Sequence, residues 1–156
     1  MKRGIARFSA TVIGITLLSM VALSATVWAK ALDGFRDVKL GMAKTKVLEV
    51  LRKSPAHFSF DEMGNEIGEI IRGDDLFSYA TYRFNEGELL VEIDLQMREV
   101  LGRDRVLELF NSRNGLKLTP FQTTVVDTMS IEVKENALIM RMVPSSDTRA
   151  AKDGRR

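Results

Sequence analysis

Tyr82-Arg83-Phe84-Asn85-Glu86-Gly87-Glu88-Leu89-Leu90-Val91-Glu92-Ile93 is the stretch on which the fold reading turns. It is the middle of a β-hairpin. An aromatic-rich run, Leu76 to Phe84, enters the Asn85-Glu86-Gly87 turn, and Glu88 to Gln96 returns. On the return, Leu89, Val91, Ile93 and Leu95 share one face while Glu92, Asp94 and Gln96 share the other. That period of two predicts an antiparallel sheet covered on one side and wet on the other.

Upstream lies a helix over about Lys44 to Lys53, with Val47, Leu48 and Leu51 on one face and Lys44, Lys46, Glu49 and Arg52 toward water. Met42 and Val47 fit a hydrophobic staple around Ala43, and Pro55 stops the helix. Ala43 has no side-chain oxygen to cap with, so packing must supply most of the stability. Ala56 to Asp75 is less regular. Phe58 and Phe60 alternate like a short strand, Met63-Gly64-Asn65 reads as a turn, and Ile67, Ile70 and Ile71 fit strand or helix. Downstream, Arg103 to Arg113 predicts a second helix burying Val106, Leu107 and Phe110 and stopped by Asn114-Gly115. Phe121 to Asp127 and Ser130 to Val143 add strand, with a turn at Glu135-Asn136. Met129, Met140 and Met142 read as core filler. The expected class is α+β: two helices packed on one face of an antiparallel β-sheet, in the order helix, hairpin, helix, hairpin.

Residues 1–31 read as a secretory signal peptide. Lys2, Arg3 and Arg7 precede an apolar stretch, Ala10 to Ala29, and Ala29-Lys30-Ala31 fits the small-x-small pattern of signal peptidase. Cleavage after Ala31 leaves Leu32 first; cleavage after Ala29 and an uncleaved membrane anchor are the rivals. Removing Lys2, Arg3, Arg7 and Lys30 takes the 23 Lys and Arg to 19 against an unchanged 21 Asp and Glu, a net charge of −2 rather than +2. The precursor's basicity is therefore no argument for nucleic acid. Residues 32–143 form one expected domain and 144–156 a disordered polar tail. With no Cys, disulfides, thiolate chemistry and lipid attachment at an exit cysteine are excluded.

Two segments together resemble a known family. Gly41-Met42-Ala43-Lys44-Thr45-Lys46-Val47-Leu48-Glu49-Val50-Leu51 is similar to the G-M-(S/T)-x-x-x-V-x-x-x-L opening of the SmpA/OmlA and β-lactamase-inhibitor-like (BLIP-like) envelope domains. Tyr82 to Ile93 is similar to their Y-x-F-x-x-G-x-L-x-x-I hairpin. Ala43 stands where the family has a hydroxyl cap, and the assembly lipoproteins' cysteine is missing. The resemblance implies a helical pair on an antiparallel sheet in a module that binds proteins.

The residues offer no catalytic set. His57 is the single histidine, read as exposed in a polar loop without ligand partners. Asp61-Glu62-Met63-Gly64-Asn65-Glu66 lacks the alternating oxygens of a calcium loop. Asp74-Asp75 reads as a strand approach rather than an acid/base pair. No serine sits in a nucleophile elbow and no glycine cluster cradles phosphate. Neither a cofactor nor a metal is expected.

The expected function is an exported, non-catalytic protein-interaction domain of the bacterial periplasm or cell envelope, in envelope assembly or maintenance. Its expected partner is another envelope protein, with membrane contact only through an uncleaved leader. The candidate contacts are Phe58, Phe60, Phe77 and Tyr79, on the hairpin and its neighbouring segment. A periplasmic carrier or sensor of a small apolar ligand, held between helices and sheet, is the alternative.

Overall fold

A computed structural model describes residues 32–54 and 57–143, and the side chains of residues 57 and 58 fall outside that description. The expected leader and tail, and Pro55, lie outside the described residues. The elements run β1 (Gly34–Phe35), β2 (Val38–Lys39), α1 (Lys44–Lys53), β3 (His57–Met63), β4 (Glu66–Ile71), β5 (Phe77–Phe84) and β6 (Leu90–Met97), followed by α2 (Arg103–Asn114), β7 (Thr123–Val126), β8 (Met129–Val133) and β9 (Ala137–Met142). The class is α+β. β1 and β2 form a small ladder of their own; the other seven strands form one sheet, ordered β3-β4-β5-β6-β9-β8-β7 and antiparallel throughout.

The expected order needs correcting in detail. The first hairpin is the last two strands of a four-stranded meander, β3 to β6, and the second is part of a three-stranded one, β7 to β9. Ala56 to Asp75 supplies two strands rather than one, because Ile67, Ile70 and Ile71 all fall in β4. His57 lies in β3, where its backbone pairs with Ile71, and not in a loop.

One face of the sheet carries Ile67, Ile71, Ala80, Tyr82, Phe84, Leu90, Ile93, Leu95, Ile131, Val133, Leu138 and Met140, all buried in one cluster with Val47, Leu48 and Leu51 of α1 and Val106, Leu107 and Phe110 of α2. At its centre the Phe77 ring meets Phe35 and Phe110 edge-on, at 5.6 and 5.8 Å between centroids. The inward row of β6 begins at Leu90, not at Leu89 and Val91. A register shift between Arg83 and Phe84 sets Phe84 opposite Leu90 and Arg83 opposite Glu92, which leaves Leu89 exposed and Val91 half-buried. Met142, expected in the core, lies at the end of β9 and is exposed, whereas Met129 and Met140 are buried.

The hairpin also completes α1. Ala43 makes no side-chain cap, yet the Lys44 amide donates to the Glu88 carbonyl at 2.9 Å. Gly41 donates to Leu90 O, and Leu90 N–H returns a bond to Met42 O. A tertiary contact thus satisfies amides that the local sequence leaves open. α2 ends conventionally, with Gly115 at φ 65°. No helix among the described residues is long and apolar enough to cross a membrane.

Candidate interaction surface

The pleat sorts the four sequence-predicted contacts. Phe77 is 1% exposed, clamped by Phe35 and Phe110, so its expected place on a docking surface is corrected: it is core. Phe60 pairs with Glu69 on the covered side, packs half-buried against the core, and has the Arg52 guanidinium 6.0 Å from its ring centroid. Phe58 contributes its backbone to β3. Tyr79 reaches the opposite, outer face, where it stands across from Ile70 of β4. A register shift between Phe77 and Tyr79 separates their fates.

Tyr79 occupies space that a side chain would otherwise fill. A Cβ built on Gly68 would lie 2.0 Å from the Tyr79 hydroxyl and 3.0 Å from Cζ, so the phenol lies over the bare Gly68 backbone. Ile70 is 45% exposed beside it, and Met63 lies exposed at the end of edge strand β3. Tyr79 and Ile70 form a small apolar pair, and Met63 stands further along β3, past Asp61. Sequence reasoning missed Ile70 and Gly68; the usable signal was a glycine interrupting a strand-like run of isoleucines.

An ionic chain runs across the middle of the outer face. Arg83 Nε donates to Glu66 at 2.8 Å and Nη1 to Glu92; Arg141 also bonds Glu92 and reaches Glu132 at 2.6 Å. This chain of charges crosses β4, β5, β6, β9 and β8 in sheet order. Burial alone would raise the Glu92 pKa, but Arg141 and Arg83 outweigh it and hold the carboxyl low. Asp94, by contrast, is pushed up by burial, since Arg83 stands 3.8 Å away and offsets it only in part. Such cross-strand pairs keep an uncovered sheet face soluble and fix register.

The remaining acidic candidates are structural. Asp74 Oδ1 accepts from the Leu76 and Phe77 amides at 2.8 and 3.0 Å, and Oδ2 meets Arg36 at 3.3 Å. Asp75 takes two hydrogen bonds from Arg113, at 2.9 and 2.6 Å. They tie the start of β5 to the β1–β2 turn and to α2. Inside, Tyr82 donates to Glu69 Oε2 at 2.6 Å, both groups being 1% exposed. A void of about 10 Å³ adjoins them, lined in part by Arg36, Val50 and Ser54. That is room for about one water, whereas small-molecule pockets run to ~300 Å³ or more. Among the described residues no group of three or more His, Asp and Glu is placed to hold a metal. Compared with protein-family models, curated proteins and solved structures, the chain finds no match.

Proposed function

We propose that this chain is an exported, non-catalytic protein-interaction domain of the bacterial periplasm or cell envelope, acting in envelope assembly or maintenance. In this reading the two helices pack on one face of the sheet, and the domain binds another envelope protein through the open face around Tyr79 and Ile70. The observation that carries it is the pairing of Tyr79 with an exposed Ile70 on the face away from the core, next to edge strand β3. An aromatic and an aliphatic anchor within a polar, ion-paired surround is the usual anatomy of a binding patch. The basic, apolar leader ending at Ala29-Lys30-Ala31 supports export, and the resemblance of Gly41 to Leu51 and Tyr82 to Ile93 to the SmpA/OmlA and BLIP-like domains supports the setting.

Photo-crosslinking in the native envelope tests this. A photoreactive phenylalanine analogue replaces Tyr79 or Ile70, with exposed Glu108 on α2 as control. The same discrete adduct should form from positions 79 and 70 and not from 108. Adducts no stronger at 79 and 70 than at 108 would remove the surface from consideration.

A further inference from the structure

The sheet has two edges, and their chemistry differs. β3 carries Asp61 and Glu62, and a register shift between His57 and Ser59 bends its start. Both are ordinary protections for a free edge. β7, at the far side, reads Thr123-Thr124-Val125-Val126. It has no charge and no proline, and every residue is β-branched. Val125 is 62% exposed, and Phe121, just before the strand, is 68% exposed. This is the composition of a strand prepared to pair again.

The outward-facing backbone groups follow from the turn. β7 and β8 are joined by the two residues Asp127 and Thr128, which makes Val126 and Met129 a closely hydrogen-bonded pair. Alternation then makes Thr124 and Ile131 the next such pair. Gln122 obeys the same parity, since its carbonyl accepts from the Val133 amide at 3.1 Å. Thr123 and Val125 therefore direct their N–H and C=O groups away from β8, into solvent.

We infer that β7 pairs antiparallel with β7 of a second copy of this chain, joining two sheets edge to edge about a two-fold axis. Keeping both copies' covered faces on one side requires residues of like facing to oppose each other. Several registers do this, and the one that pairs both Thr123 and Val125 with residues of the partner's β7 sets Thr124 against the partner's Thr124. It places Val125 against the partner's Thr123, giving about four new main-chain hydrogen bonds. The same register sets Phe121 opposite the partner's Asp127. Because the Arg103 guanidinium lies 4.7 Å from the Phe121 ring centroid, the incoming carboxylate approaches a cation. The strand itself carries no charge to repel its copy, whereas β3 would set like acids together. The contact is far smaller than a standard interface of ~1,600 Å², so the dimer is weak, in the micromolar range or above. It leaves the Tyr79 face, near the other edge, open.

The test uses the protein as cells process it. Sedimentation equilibrium over a concentration series should show a mass rising from one chain toward two. Val125→Lys puts like charges across the axis, and Val125→Pro removes an outward amide; each should weaken association at least about tenfold without moving the thermal melt. The natural chain has no cysteine, so Thr124→Cys gives a register-specific readout. Oxidation should produce a covalent dimer rapidly, while Thr123→Cys, opposed to Val125, should produce little. A single-chain mass at every concentration overturns the inference, as does association unchanged in both Val125 variants. Equal crosslinking at positions 123 and 124 overturns it too.

Discussion

Replacing Tyr82 by Phe probes the buried carboxylate of Glu69. The substitution leaves the ring in place, so apolar burial is nearly unchanged. What goes is the phenolic donor to Glu69 Oε2, a 2.6 Å bond between two groups that are each 1% exposed. A hydrogen bond to a charged acceptor contributes about 1.5–3 kcal/mol net. The adjoining void of about 10 Å³ and the space left by the hydroxyl can admit a water, which moves the expected loss toward the lower figure. At about 4 °C per kcal/mol for a domain of this length, the melting temperature should fall roughly 6–12 °C. Urea titration should show a lower midpoint with an unchanged slope. Glu69→Leu alone should also destabilise, by stranding the phenol, and the double variant should lose less than the two singles together. Alkaline pH gives an independent check. Burial first, and the Glu69 charge second, raise the Tyr82 pKa well above its ordinary 10. The fold therefore keeps a proton that the unfolded chain releases, and this stabilisation, complete below pH 10, declines as pH rises beyond it. Tyr82→Phe should make that alkaline decline shallower. A loss under about 0.5 kcal/mol with strictly additive singles would refute the reasoning, because Glu69 would then not depend on the phenol.

Gly68→Ala should push the half-exposed Tyr79 ring off the strand, since the new Cβ falls 2.0 Å from its hydroxyl. Because that is the free end of the side chain, the cost should stay below about 1 kcal/mol, and unchanged Tyr79 ring resonances by NMR would refute the contact. Arg113 holds Asp75 down to about 2 through its paired hydrogen bonds, against the opposing effect of burial. That contribution is present above the ordinary 3.8 and vanishes as pH falls through about 2, so Asp75→Asn should flatten the stability profile between those values. Both side chains are at least half exposed, so the effect is small, and superimposable acid profiles would show that solvent screens it fully. Intact-mass measurement of the protein isolated from its native cells should show a chain beginning at Leu32; a mass retaining Met1 to Ala31 would show the leader uncleaved.

Strong periodicity made the two helices and the central hairpin legible. Val47, Leu48 and Leu51, and Val106, Leu107 and Phe110, keep helical spacing, and all six are buried. The failures cluster on β4, β5 and the start of β6. Leu89 and Val91 read as inward because a bulge leaves no mark in an alternating sequence: one extra residue shifts the buried row to Leu90. Phe77 and Tyr79 differ by two, so simple pleating puts them on one face; the register shift between them separates core from surface. β4 hid because its facing is inverted chemically, with the acid Glu69 inside and Ile70 outside. The acid becomes intelligible only once Tyr82, thirteen residues away, is beside it. A strand shaped by packing alone would carry an aliphatic residue at 69, a polar one at 70, and a side chain at 68. Local rules broken together on one strand are the pattern expected where a surface serves something other than the fold. Of these departures, the buried acid is accounted for by Tyr82 and the glycine by the Tyr79 ring. The exposed Ile70 has no such internal account, and of the Tyr79–Ile70 pair it is therefore the residue that points most directly to a partner.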